Sequence, residues 1–235
     1  ILVLENFGPT KYAEIITKKN RKKIYRLAVD TIFDIQKISN PDLSKYSLNM
    51  FIEESNLFFD WYLKNLKKNE INILKKGFKS LFKSYFSCID IPQVLVHRDF
   101  HIDNLFYLSK SNSIKCGLID YQDAVIGPCT YDLVSLTQDA RIDVPKQLEY
   151  DLINYFLKGH LKIKREDFML SYNLLAIQRH MKVLGIFCRL SLRDNKDQYL
   201  RHLPRVKKML HENLKKKKFE KFNSLLSPLL NHVEY

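Results

Sequence analysis

The stretch HRDFHIDN, from His97 to Asn104, followed by GLIDYQD, from Gly117 to Asp123, decides the fold of this 235-residue chain. An Asp five residues before an Asn can turn its carboxylate toward an acceptor hydroxyl while the amide reaches a metal. A second Asp, sixteen residues after the Asn, can return on a neighbouring strand as the stronger metal ligand. Asp99, Asn104 and Asp120 occupy those places, in the arrangement of a phosphoryl-transfer catalytic loop.

The flanking residues predict how these groups come together. QVLV (Gln93 to Val96), NLFYL (Asn104 to Leu108) and IKCGLID (Ile114 to Asp120) are short apolar runs, and SKSNS (Ser109 to Ser113) is a turn cluster between the last two. The expected order is strand, loop, strand, turn, strand. Such a hairpin returns Asp120 to the end of the ladder where Asp99 and Asn104 lie. A lone His-x-Asp would only show two side chains satisfying each other near a surface; the correctly spaced Asn104 and the strand-ending IDYQD favour the site.

Four segments carry a wider resemblance: LVLENFGPTKY (Leu2 to Tyr12), VHRDFHIDNL (Val96 to Leu105), IDYQDAVIGPCTYDLVSLTQDA (Ile119 to Ala140) and IQRHMKVLGIFCRLSLRDNKDQYLRHLPR (Ile177 to Arg205). Together they resemble the aminoglycoside phosphotransferase and choline kinase superfamily. The third and fourth are most similar to its bacterial anomeric N-acetylmuramate/N-acetylglucosamine kinases. The fold implied is α+β, a protein-kinase-like (aminoglycoside phosphotransferase-like) C-terminal lobe, mostly helical around a small β-hairpin sheet.

The resemblance implies roles residue by residue. Asp99 is the expected catalytic base, and Asn104 and Asp120 the expected ligands of Mg2+ carried by ATP. Gln122 stands where several relatives have an acidic metal ligand; being neutral, it is as well suited to hydrogen bonding. Glu5 and Phe7 fall in the linker whose backbone receives adenine, so residues 1–12 are expected to be the end of an N-terminal lobe and that linker, and 13–235 the catalytic lobe. The family's phosphate-covering loop and strand lysine belong upstream of this segment. Neither they nor a GxGxxG or Walker-type loop occurs here, so the N-terminal lobe is expected to be largely missing. Asp132 resembles the family's helix Asp that braces the catalytic loop, and His97 is read as fixing that loop through a backbone bond. Asp123, Arg179 and His180 are candidates for the sugar pocket, although Asp123 could equally begin a turn and Arg179 pair with a carboxylate.

Length and composition fit one catalytic lobe. A chain with 46% hydrophobic and 12% aromatic residues can bury a substantial core without dividing further. Amphipathic helices are expected over Asn20 to Ile38, through Ile24, Leu27, Ala28, Thr31, Ile35 and Ile38, closed by Ser39, Asn40 and Pro41. Phe58, Phe59, Tyr62, Leu63 and Leu66 mark a second helix, and Leu74, Phe78, Leu81, Phe82 and Tyr85 a third. Three more are expected over Pro128 to Ala140, Phe168 to Leu190 and Gln198 to Lys218.

The net charge of +13 opens a second functional class, a protein that binds nucleic acid or an anionic membrane surface. Most lysines, however, fall between apolar helix positions as a solvated face does, and no nucleic-acid-reading motif accompanies them. No apolar run approaches the ~20 residues that span a bilayer. Cys88, Cys116, Cys129 and Cys188 show no CxxC spacing, which disfavours zinc and points to free thiols in a reducing, cytoplasmic setting.

The expected function is transfer of phosphate from ATP to the anomeric hydroxyl of an amino sugar in cell-wall sugar recycling. Departures from the protein kinases are plain: His101 follows Asp99 by two residues, Tyr-Gln follows Asp120, and no Ala-Pro-Glu segment follows. An aminoglycoside or choline kinase is the alternative enzyme. Yet from Leu161 to Tyr235 basic residues outnumber acidic ones by more than two to one, which suits a neutral or anionic acceptor. A non-catalytic, pseudokinase-like binding module is the alternative from another class. Oligomeric state is not legible.

Overall fold

Ser47 begins one helix by accepting a bond from the Met50 N–H at 3.2 Å, and Glu70 begins another by accepting from the Lys67 N–H at 3.0 Å. Both satisfy first-turn donors that have no partner within the helix. The computed structural model describes residues 5–39, 42–108, 116–160 and 162–231. In chain order its elements are α1 (Tyr12–Ile15), α2 (Arg21–Gln36), α3 (Leu48–Leu57), α4 (Lys68–Phe86), β1 (Gln93–Val96), β2 (Leu105–Tyr107), β3 (Cys116–Leu118), β4 (Val125–Pro128), α5 (Tyr131–Thr137), α6 (Lys146–Gly159), α7 (Arg165–Asp194), α8 (Leu203–Leu214) and α9 (Glu220–Leu226). The chain forms two compact units. The first takes the chain up to Lys45, then Pro92–Asp139 and Val144–Arg165; the second takes Tyr46–Ile91, Ala140–Asp143 and the chain from Glu166 on.

The first unit holds both small sheets. Each is an antiparallel pair: β1 with β4, in the register Gln93↔Pro128 to Val96↔Val125, and β2 with β3, in the register Leu105↔Leu118 to Tyr107↔Cys116. β4 was not expected, and its formation corrects the helix expected from Pro128. Pro128 lacks an N–H and ends the strand, the position in a ladder where proline is tolerated. The helix that follows covers only Tyr131–Thr137. The SKSNS turn and Ile114 lie outside the described residues.

Helix α2 keeps close to its expected span but presents a different stripe. Ile24, Tyr25, Ala28, Val29 and Ile32 are buried, whereas Ile38 is 51% exposed. Each fully buried large apolar side chain contributes about 1.5 to 3 kcal/mol. Of the residues expected to close the helix, Asn40 and Pro41 lie outside the described set. Helix α6, absent from the sequence reading, packs beside α2 through Phe33 stacked on Phe156 at 5.1 Å.

The second unit is helical with an aromatic core. Phe51, Phe58, Phe59, Tyr62, Phe78, Phe82 and Phe222 are all buried, and Phe58 stacks on Tyr62 at 4.9 Å. The helix expected around Phe58 to Leu66 is instead α3 followed by one π turn, Phe58–Tyr62, with Leu63 to Leu66 beyond it. The segment expected as one helix from Gln198 is broken. A 3-10 turn, Asp197–His202, precedes α8, because Pro204 fits only a first helical turn; a second 3-10 turn, Lys217–Phe219, follows it. No helix among the described residues is long and apolar enough to cross a membrane.

Candidate active site

The β2–β3 ladder sets the site. Beyond the Leu105↔Leu118 pair the Ile119 N–H donates to the Asn104 carbonyl at 3.3 Å, so Asn104 and Asp120 lie at the same end of the ladder. The loop that carries Asp99 is closed by short bonds. The Asp99 carbonyl accepts from the His101 N–H at 3.1 Å and from Asn104 Nδ2 at 3.0 Å, while the Asn104 N–H donates to the His101 carbonyl at 2.9 Å. With its nitrogen committed to the Asp99 carbonyl, the buried Asn104 amide keeps its oxygen as its acceptor atom.

Asp120 has φ 62°, a left-handed backbone that Asp adopts more readily than most non-glycine residues. Its side chain is exposed and makes no capping bond to the short turn Tyr121–Asp123 that follows. A carboxylate held in that way is available to a ligand. Asp99 is half-buried.

His97 ties the catalytic-loop segment to the strand that leads into Asp120. Its ring donates from Nε2 to the Ile119 carbonyl at 2.9 Å, the residue immediately before Asp120. Burial lowers its pKa, against the opposing pull of the Ile119 carbonyl and of the Asp99 and Asp120 carboxylates. Both carboxylates therefore act on one imidazole. A neutral His97 with its proton on Nε2 fits this contact.

Asp132, on α5 and fully buried, accepts the His97 N–H at 2.8 Å through one oxygen and the Arg98 N–H at 3.0 Å through the other. Gln122 and Asp123 are exposed in the turn after Asp120, and the Asp123 carbonyl accepts from Arg98 Nη1 at 3.0 Å. The first unit thus brings Asp99, Asn104, Asp120, Gln122, Asp123, His97 and Asp132 into one connected set of loops.

Glu5 is exposed, and Phe7 packs on β3, where a Cβ at Gly117 would come within 2.6 Å of its ring. Further along, the Thr10 carbonyl accepts from the Tyr107 N–H at 2.9 Å, so this segment runs beside β2. Leu2 to Leu4 lie outside the described residues. Arg179 and His180 lie on α7 in the second unit, 6% and 1% exposed.

A polar cluster that sequence reasoning missed lies near them in that unit. Glu54 of α3 accepts from Lys182 Nζ at 2.8 Å and Gln178 Nε2 at 3.1 Å, and bonds the Tyr46 hydroxyl. A Glu in an amphipathic helix reads as solvent-facing, and no local signal marked this one as half-buried and paired. Arg98 was likewise given no role, although its place between His97 and Asp99 was signal enough to ask for one.

This loop and hairpin arrangement stands on a mostly helical scaffold with two small antiparallel sheets among the described residues. The chain belongs to the phosphotransferase enzyme family, whose model matches residues 3–164. It is 32% identical over 213 residues to the N-acetylmuramate/N-acetylglucosamine kinase of Pseudomonas aeruginosa, covering 87% of this chain and 62% of that protein. It is 30% identical over 217 residues to the enzyme of the same name from Neisseria meningitidis, covering 87% of this chain and 64% of the relative. The chain therefore spans somewhat less than two thirds of the length of these relatives.

Solved structures share the fold at low identity. A choline/ethanolamine kinase family protein from Mesorhizobium loti superposes with a TM-score of 0.58 at 12% identity, covering 92% of this chain and 69% of that one. The ADP-bound aminoglycoside phosphotransferase APH(2'')-Ib superposes with a TM-score of 0.55 at 14% identity, covering 89% and 71%.

Proposed function

We propose that the complete protein transfers the γ-phosphate of ATP to the anomeric hydroxyl of an N-acetylated amino sugar, N-acetylmuramate or N-acetylglucosamine, in the recycling of cell-wall sugars. The observation that carries the proposal is the convergence of Asp99, Asn104 and Asp120 at one end of the β2–β3 ladder. Phosphoryl transfer needs positioning and charge neutralisation more than covalent chemistry. Asp99 accepts the hydroxyl proton and orients the oxygen. An anomeric hydroxyl is more acidic than an ordinary alcohol, so a plain carboxylate suffices as base.

Asp120 and the side-chain oxygen of Asn104 would supply two hard oxygen donors, which fits Mg2+ that keeps waters and binds nucleotide phosphates besides. The metal, when bound, neutralises charge on the transferring phosphate. Gln122 adds a weak ligand or a hydrogen bond. Residues 5–12, including Glu5 and Phe7, serve as the adenine-facing linker, and the chain from residue 13 on as the catalytic lobe. Asp123, Arg179 and His180 recognise the sugar, with the Arg179 fork suited to a carboxylate or acetamido group. The thiols of all four cysteines are free, which fits a cytoplasmic enzyme.

The acceptor is supported by the names of the relatives and by the basic balance of the chain after Leu161, which repels polycations. An aminoglycoside or choline kinase is the second reading, because the fold neighbours bear those names. The intact Asp99, Asn104 and Asp120 weigh against a non-catalytic module. The complete protein is incubated with Mg-ATP and a panel of amino sugars, choline and kanamycin, and phosphorus NMR locates the new phosphate. Coupling to the anomeric proton supports the proposal; phosphate at the 6-position, or preference for choline or kanamycin, refutes it.

A further inference from the structure

The two residues that precede Asp99 in the chain hold the Asp120 loop from both sides. The His97 ring bonds the Ile119 carbonyl, just before Asp120, and the Arg98 guanidinium bonds the Asp123 carbonyl, three residues after it. The segment Asp120 to Gln122 is bracketed between these two contacts. Within it Asp120 adopts a left-handed backbone, φ 62°, which Asp tolerates better than most non-glycine residues.

Arg98 is itself left-handed, with φ 73°. A residue with a long side chain resists that conformation, whereas glycine accepts it freely. The Asp132 carboxylate holds the strained turn by accepting the Arg98 N–H at 3.0 Å. Backbone strain of this kind persists only where surrounding bonds over-determine it, and it concentrates at functional sites. An arginine kept where glycine would sit more easily points to a use for its side chain.

We infer that Arg98 is a positioning residue: its guanidinium fixes the Asp123 end of the loop and so aims the Asp120 carboxylate at the metal that accompanies the nucleotide. The inference rests on the reading of Asp120 as a metal ligand. Arg98 touches neither substrate nor metal in this role. It acts through the Asp123 carbonyl, which accepts one bond from Arg98 Nη1 at the far end of a long side chain. Groups that orient a metal ligand from behind typically change metal affinity about 10- to 100-fold when removed.

The test compares Arg98→Gly, Arg98→Ala and Arg98→Lys in the complete protein. Binding of Mn2+ with ADP is read by calorimetry, alongside the unfolding midpoint and turnover. All three substitutions are expected to weaken Mn-ADP binding, Gly and Ala by about tenfold or more. The Gly variant should melt above the Ala variant, since only Ala keeps the left-handed strain. Millimolar guanidinium should restore part of the Mn-ADP affinity of the Gly variant and none to the parent. Mn-ADP affinity of the Gly variant within twofold of the parent overturns the inference, as does a loss of affinity that follows the unfolding midpoint across the series. The binding arm is independent of the acceptor, so a wrong sugar abolishes turnover for every variant while leaving these differences readable. Asp120→Ala serves as the control for the metal assignment: if it leaves Mn-ADP binding intact, that reading fails, whatever the Arg98 series shows.

Discussion

Asp132 and His97 are joined through the backbone: one oxygen of the buried carboxylate accepts the His97 N–H at 2.8 Å, leaving the other for the next N–H along the chain. A carboxylate can accept at both oxygens, whereas an amide can accept at only one. Asp132→Asn therefore turns one of these attractions into a clash of donors. A buried donor left unsatisfied costs about 1 to 3 kcal/mol. Denaturant unfolding should show a loss of that size, and amide exchange at residues 97 and 98 should quicken. Unchanged protection at both amides would remove Asp132 as the brace of the loop.

Asp99 and Asp120 should fail differently. Asp99→Asn removes the proposed base without touching the metal, so kcat should fall roughly 10²- to 10⁴-fold while nucleotide affinity stays near that of the parent. Asp120→Ala removes the proposed metal carboxylate, and Mg-ATP affinity should fall with kcat. Steady-state kinetics together with nucleotide titration separate the two patterns. Turnover by the Asp99→Asn protein within a few-fold of the parent would sink its role as base.

Much of the first unit was legible because its signals are local. QVLV and the run ending in IDYQD are short apolar segments bounded by polar ones, and they became β1 and β3. What could not be read is non-local. β1 pairs with Val125–Pro128, some thirty residues later, and the apolar VIGP segment looks like a helix approach until its partner is known. The left-handed turn at Arg98 is invisible in a residue type that ordinarily avoids it, and an Asp such as Asp120 adopts that conformation too seldom for sequence to announce it. Helix α6 escaped notice although Leu148, Leu152, Ile153 and Phe156 form its buried stripe. Glu54 and Lys182 look like surface charges in sequence, and packing alone brings them together.

Acid should weaken the fold before the carboxylates titrate. Burial lowers the pKa of both His97 and His160, the latter packed against Phe33 and Phe156 with Nε2 at 3.1 Å from Gln36 Oε1. The unfolded chain takes up these protons near pH 6.5, before the native state does. Their contribution is therefore complete above that pH and is lost as pH falls toward the lower native values. Urea midpoints should drop between about pH 7 and pH 5. His160→Gln should flatten the drop even while lowering the midpoint at neutral pH. Asp120→Asn should steepen it, because it removes a carboxylate that favours the charged His97. An unaltered slope in both variants would contradict the assignment.

Two helix glycines should respond oppositely to the same substitution. On α7 a Cβ at Gly185 would lie 2.2 Å from the Leu57 carbonyl carbon, 2.4 Å from its oxygen and 2.6 Å from the Phe58 nitrogen. These are backbone atoms at the junction where α3 passes into its π turn, so they cannot swing aside as a side chain does. Overpacking of this kind costs about 1 to 3 kcal/mol, and Gly185→Ala should lower stability by at least that much. On α4 a Cβ at Gly77 would meet only the Leu225 methyl groups, at 3.7 and 3.8 Å. That is ordinary contact. Alanine is favoured over glycine inside a helix by up to about 1 kcal/mol, so Gly77→Ala should raise stability by several tenths of a kcal/mol or more. Paired urea titrations measure both. If Gly185→Ala proves neutral, the close approach of α7 to Leu57 is not a fixed feature of the second unit.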